Sequence, residues 1–372
     1  MANTANAHWR SNIVVPTAES VKDSSNDTTK ANGKTALADK LAHERNVKEV
    51  ALGDLLFDTW YPSWFPDEVI PDKQRGKGIV QTTMYVCKWC FAYHRDPEIW
   101  AQHYSNCPRA TSGPPGTHIY HHGSSDTLSI WEVEGEVEHV FCQNLSLFAK
   151  FFLDNKSVLY DVNDFHYFLL VHTKPDGVKQ IIGFFSKEKQ SWDRNNLACI
   201  LVFPPWQRKG LGSLLIAVSY EIGRREDALV GRVDPVSGPE KPISNLGKKS
   251  YERYWSAEIA RYLLNIEETD CKNNTGFITV EMISRETWIA PDDCLAVLRE
   301  MGGVERVLKG KGKKGKAVKA DKQEEPVEQL DKGFIREWVN RQGLDSYPSV
   351  DVDGFVGRYR SQETIEGVEV AA

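Results

Sequence analysis

The sequence lacks any apolar run of about 18 residues or more, the length a helix needs to cross a bilayer. At its start it also lacks a basic stretch leading into an apolar core and a small-residue cleavage site, so secretion is not expected. An even cysteine complement is missing. The seven cysteines cannot all pair, and reduced thiols or metal ligands read better than a disulfide framework. Nor is there an excess of positive charge: 46 Lys and Arg stand against 52 Asp and Glu, a formal net charge of −6. That balance excludes nucleic-acid binding driven by the overall field, though not by a local basic patch, and a cationic partner suits it at least as well. No internal repeat is present. What remains is a 372-residue chain, 41% hydrophobic and 26% charged, able to bury a large core in two or three packed units. A soluble, intracellular protein is expected, with no membrane partner.

Residues 1–45 are rich in Asn, Ser, Thr, Ala and Lys and poor in large apolar groups, so a disordered tail is expected before folding begins near Val47. Strand-length apolar pieces at Leu128–Val133 and Val137–Cys142, separated by Gly135, read as a hairpin. Leu145–Leu153 is helical in pattern, with Asn144 as N-cap. Phe165–His172 and Val178–Phe185 read as paired strands around the turn Lys174-Pro175-Asp176-Gly177. Leu197–Phe203 reads as a buried strand ending at Pro204-Pro205. Leu211, Leu214, Leu215, Val218 and Ile222 then recur at helical spacing. Thr279–Ser284 and Pro291–Met301 read as two short helices. Between Lys309 and Lys322, seven lysines interleaved with Gly and Ala cannot bury a core, so 309–326 is expected to be a flexible loop.

Cys87-Lys88-Trp89-Cys90, twelve residues, His103, three residues and Cys107 have the spacing of a Cys-Cys-His-Cys zinc site. The CxxC knuckle and a His and Cys one helical turn apart supply four tetrahedral ligands, leaving no open position, so the zinc is expected to be structural. His94 is a weaker substitute ligand.

Gln207-Arg208-Lys209-Gly210-Leu211-Gly212-Ser213 lies between the apolar strand and the amphipathic helix. Such a turn offers backbone N–H groups and a helix N-terminus to an anion, with Arg208 and Lys209 adding charge. A Gly-x-Gly is equally what a tight connection requires. Here the chain resembles the MYST family of acetyltransferases, in which a Gln-Arg-x-Gly-x-Gly turn binds the coenzyme A pyrophosphate. The resemblance includes the finger, Phe151-Phe152-Leu153-Asp154-Asn155-Lys156, Gly183-Phe184-Phe185-Ser186-Lys187-Glu188-Lys189, Ala198-Cys199-Ile200-Leu201 and Gly238-Pro239-Glu240-Lys241-Pro242-Ile243-Ser244, and runs in order from Val47 to Trp255.

The resemblance implies an α/β (α+β) fold: a mixed, GNAT-like acetyl-CoA N-acetyltransferase sheet with an N-terminal zinc finger and a helical, winged-helix-like C-terminal part. The implied divisions are a finger segment over 46–112, a catalytic core over 113–255 and a helical region over 256–372. It also implies acetyl transfer from acetyl-CoA to a histone-tail lysine. A lysine amine, with a reference pKa of about 10.4, must lose its proton before attacking a thioester; passing it to a carboxylate of about 4.3 is uphill by roughly 8 kcal/mol, so environment and concerted reaction must close the gap. Glu240 matches the family's general base, although by itself it reads as a solvated loop carboxylate. Cys199 lines the active site by family position, and otherwise reads as a core thiol. Ile200, Leu201, Val202, the Gln207–Ser213 turn, Ser244 and Ser250 are the implied cofactor contacts. Lys156 matches the lysine that family members autoacetylate, or else is a surface charge at a helix end.

Asn245, Lys248 and Lys249 depart from the family pattern, and the stretch Gly223–Ser237 reads as an extended loop beside the base. No chromodomain-like or plant-homeodomain-like reader is evident, which points to partner subunits for targeting to chromatin. The pattern is most similar to the fungal silencing-type (SAS) branch, implying a nuclear protein with histone H4 as substrate. Two other functions compete: a non-catalytic zinc-finger chromatin-binding module, and a DNA-binding protein using the finger, helix pair and lysine-rich loop.

Overall fold

The computed structural model describes residues 45–71, 78–123, 127–232, 238–266, 279–302, 308–309, 329–330, 332–344 and 350–360. They fall into two compact units, one within Met1–Lys189 and Leu201–Lys209, the other within Gln190–Ile200 and Gly210–Ala372. The expected tail lies, but for Arg45, outside the described residues, as does the lysine-rich stretch from 310 onward.

The first unit opens with β1 (Val47–Leu52) and β2 (Leu55–Asp58), followed by β3 (Gln81–Val86) and β4 (Tyr93–His94), in sheet order β2-β1-β3-β4. Helix α1 (Pro97–Asn106) starts with Pro97 at its first turn and Asp96 accepting from the N–H groups of Glu98 and Ile99; the short α2 (Arg109–Ser112) follows. A second sheet is built from β5 (Thr117–His121), β6 (Leu128–Glu134), β7 (Phe165–Thr173), β8 (Lys179–Glu188) and β9 (Cys199–Val202), in that order. Of β9, Leu201 and Val202 belong to this unit. The β7–β8 hairpin forms as expected, with Gly177 at φ +81° in its turn and Asp176 accepting from Val178 N–H. Gly183 lets β9 lie close, since a Cβ there would sit 2.7 Å from Leu201 O.

The expected 128–133/137–142 hairpin does not form. β6 pairs instead with β5 and β7, and helix α3 runs from His139 to Lys150, so the helix begins five residues before Asn144's expected capping place. The apolar run was ambiguous between periods. Val137 and Val140 are exposed, while Phe141, Cys142, Leu145, Phe148 and Ala149 are buried at helical spacing. Gly135 precedes the helix where a Cβ would meet Val162 O at 1.9 Å. The buried face of α3 joins Phe57, Phe65, Phe91, Phe151, Phe152 and Phe203 in one core in which aromatic rings sit among aliphatic side chains.

In the second unit, α4 (Leu211–Leu229) buries Leu211, Leu214, Leu215, Val218 and Ile222, the predicted stripe. It continues through Gly223 to Leu229, so the first half of the expected extended loop is helix, and 233–237 lie outside the described residues. Helix α5 (Asn245–Asn265) packs on α4 through Tyr220, Tyr254 and Trp255. The expected helix pair appears as α6 (Val280–Thr287) and α7 (Pro291–Glu300). The two-stranded ladder β10 (Leu308–Lys309) with β11 (Gln329–Leu330) and helix α8 (Lys332–Gln342) complete the helical C-terminal part. Among the described residues, no helix is long and apolar enough to cross a membrane.

Candidate active site and metal centre

Cys87 follows β3, Cys90 ends the knuckle, His103 lies in the last turn of α1 and Cys107 caps that helix. Their ligand atoms all lie within 4.8 Å of one another, and Cys90 Sγ is 3.2 Å from His103 Nε2. A tetrahedral zinc with three thiolates and one imidazole would separate its ligands by roughly 3.5–3.8 Å, so the set fits that ion. Hydrogen bonding from Cys90, with further help from main-chain donors, draws the Cys87 thiol down to about 5, while burial raises Cys107. His94 lies outside this group. Zinc held here would tie β3 to α1.

Spacing alone did not disclose that the knuckle is also a core element. Phe91 sits at φ +59° and is fully buried, with its ring 5.7 Å from Phe141, 5.4 Å from Phe148 and 5.8 Å from Phe203.

In the second unit, the Glu240 turn is tied to the segment preceding Cys199. Asn196 N–H donates to Gly238 O at 3.3 Å, and Glu240 N–H donates to Leu197 O at 3.0 Å. These bonds bring Glu240's backbone beside a residue only two positions before Cys199. Asn196 is anchored beneath by its Nδ2 donating to the buried Ser219 Oγ at 3.0 Å. Glu240 and Lys241 face solvent, Cys199 and Ile200 are half-buried, and the Lys241–Pro242 peptide is cis. Ser244 caps α5, accepting from Gly247 N–H at 3.1 Å, and Ser250 donates to Leu246 O one turn on. Asn245, Lys248 and Lys249 are all exposed on the first turns of α5.

The glycine turn follows a single 3₁₀ turn, Pro204–Trp206. Gln207 Nε2 donates back to Val202 O at 2.8 Å, Arg208 adopts φ +62°, and Gly210 caps α4 at φ +77°. No side chain caps α4's N-terminus, and its first turn carries no acid. The two glycines differ in what requires them. Gly210 occupies left-handed backbone, where glycine is cheapest. Gly212 does not, and among the described residues a Cβ there would meet nothing within 4 Å. Packing therefore gives no reason for Gly212, whereas close approach of a ligand does. The uncapped N–H groups and bare backbone at the start of α4 suit an anion.

Lys156 follows α3 in the first unit and is buried, not a surface charge. The neighbouring Lys150 is buried as well and donates to the main-chain oxygens of Leu153 and Asp154.

The MOZ/SAS family matches residues 113–339, and the MYST family zinc finger domain matches residues 44–107. The chain belongs to the MOZ/SAS family. It is 40% identical over 255 residues to Histone acetyltransferase MOF of Drosophila melanogaster, covering 68% of this chain and 27% of that protein. It is 35% identical over 263 residues to the Histone acetyltransferase Tip60 homolog of Caenorhabditis elegans, covering 71% and 52%. Histone acetyltransferase of the MYST family 1 of Arabidopsis thaliana is 37% identical over 257 residues, covering 69% and 51%. The chain therefore spans about half or less of the length of these relatives.

Proposed function

We propose that this chain is a histone lysine acetyltransferase that moves an acetyl group from acetyl-CoA to the side-chain amine of a histone-tail lysine, with histone H4 as the preferred tail. The observation that supports the reading is the hydrogen bond from Glu240 N–H to Leu197 O at 3.0 Å, which brings the main chain of Glu240 beside the segment leading into the strand that bears Cys199. Family membership and the relatives' names support the reaction class.

In this reading Glu240 accepts the proton of the substrate ammonium as the amine attacks the thioester carbonyl, and coenzyme A leaves as the thiol once reprotonated. Main-chain donors near Ile200, with Leu201 and Val202, contact the thioester end and polarise its carbonyl. Gln207, Arg208, Lys209, Gly210, Leu211, Gly212 and Ser213 hold the pyrophosphate, and Ser244 and Ser250 add contacts from α5. Direct attack assisted by Glu240 requires no acetyl-Cys199, which leaves the thiol a role in lining the site. Zinc on Cys87, Cys90, His103 and Cys107 is structural.

Nuclear localisation, recruitment to chromatin by partner subunits, autoacetylation at Lys156 and membership of the silencing-type branch complete the proposal. Acetyl transfer from labelled acetyl-CoA to H3 and H4 peptides tests it. Transfer to H4 by the wild type, lost in Glu240→Gln with zinc and cofactor binding retained, is the expected result. Equal turnover by the two proteins would remove Glu240 as base, and preference for H3 would overturn the choice of tail.

A further inference from the structure

Glu240 stands on an exposed turn whose main chain is tied to Asn196 and Leu197. A general base has to meet its proton within hydrogen-bond reach, and a misplacement of about 1 Å can cost up to roughly 100-fold in rate. The turn is braced from a second direction. Lys241, the residue after the base, brings Nζ to 3.5 Å from Asp293 Oδ1, in the first turn of α7.

Asp293 is an unusual acid. It is only 8% exposed, and its Oδ2 has no hydrogen-bond partner among the described residues. Burial pushes its carboxyl above the ordinary range, and Lys241 works against that shift. A half-satisfied buried carboxylate costs stability. The N-terminus of α7 offsets part of the cost, but Asp292 takes the same benefit from an exposed position. A helix end therefore does not explain why one of two adjacent acids turns inward.

The inward position faces the base turn on its other side too. A Cβ built on Gly238 would lie 3.4 Å from Asp293 Oδ2 and 3.2 Å from the Tyr220 hydroxyl, which itself accepts from Trp255 Nε1–H at 2.8 Å. Asp293 thus brackets Glu240, bordering Gly238 two residues before it and holding Lys241 one residue after it. We propose that Asp293 is a positioning residue, fixing the Gly238–Lys241 turn so that Glu240 presents its carboxylate to the substrate amine. The inference rests on the reading of Glu240 as the base.

The test uses the zinc-loaded full chain and two readouts: steady-state kinetics, and amide hydrogen exchange at Glu240, whose preceding residue Pro239 carries no N–H. Asp293→Asn keeps the side chain's shape and is expected to lower kcat roughly tenfold, within the cost of a small misplacement, with KM for acetyl-CoA unchanged. Exchange at Glu240 should quicken several-fold while α4 and α5 keep their protection. Lys241→Gln should match it, the double variant should be no slower than the slower single, and Lys241→Arg should restore most of the rate. Unchanged kcat and unchanged exchange in a folded Asp293→Asn protein would overturn the proposal, as would losses that multiply in the double variant or exchange that quickens throughout α4 and α5. Glu240→Gln separates the two ideas. If it keeps wild-type turnover the base reading fails, and the exchange result still decides whether Asp293 holds the turn.

Discussion

The zinc knuckle and the Glu240 turn are two short irregular segments fixed in opposite ways. The knuckle is pinned by four ligand atoms within 4.8 Å of one another and by the fully buried Phe91, the residue after Cys90. The Glu240 turn exposes Glu240 and Lys241 to solvent and is held through Asn196, Leu197 and Asp293. A structural motif can be sealed on every side. A catalytic one has to leave a face open to substrate, so its rigidity must come from residues that never meet the substrate.

Breaking the knuckle should have the largest effect. Zinc in such sites supplies on the order of 10 kcal/mol, comparable to the whole stability of an ordinary domain. Cys87→Ser should therefore lose the metal and unfold the first unit, which zinc content and a thermal scan would report; stoichiometric zinc in the variant would remove Cys87 from the ligand set. Phe91→Ala separates packing from ligation. Emptying an aromatic site costs about 3–5 kcal/mol, so the urea midpoint should fall while zinc remains bound. A loss below about 1 kcal/mol would mean that the finger stands apart from the aromatic core.

The same comparison explains what could be read in advance. The four ligands were legible because metal geometry imposes fixed spacing on nearby residues. Phe91's burial was not, because its partners Phe148 and Phe203 lie far along the chain. The stripe of α4 was legible from its period, whereas Val137–Cys142 gave the wrong element because a short apolar run fits either period. Glu240 itself looked like any solvated acid, and resemblance alone singled it out. Asp293 had no signal at all: its meaning depends on a lysine more than fifty residues earlier, and α7 read only as a helix opened by proline.

If Glu240 is the proposed base, the largest effect on its turn should fall on rate, not stability. Glu240→Gln removes an exposed carboxylate, so the thermal midpoint should move little, while kcat should fall by about 10²–10⁴, the usual worth of a general base. A large drop in midpoint would instead make Glu240 a structural residue like those of the knuckle.

The smallest effects distinguish the two glycines of the turn before α4, where structural and ligand-facing demands lie two residues apart. Gly210→Ala places a Cβ on left-handed backbone at φ +77° and should cost about 1 kcal/mol of stability, with the affinity for acetyl-CoA less affected. Gly212→Ala should do the reverse. It lies within the helix, where alanine is favoured over glycine by up to about 1 kcal/mol, and among the described residues its Cβ would meet nothing within 4 Å. If a pyrophosphate lies against that bare backbone, the added methyl must push it away. Losing about 1 kcal/mol of binding would weaken acetyl-CoA roughly fivefold in a calorimetric titration, in a protein no less stable than wild type. Unchanged affinity in Gly212→Ala would mean that the coenzyme does not touch the turn there, and the bare surface of Gly212 would then serve neither the fold nor the ligand.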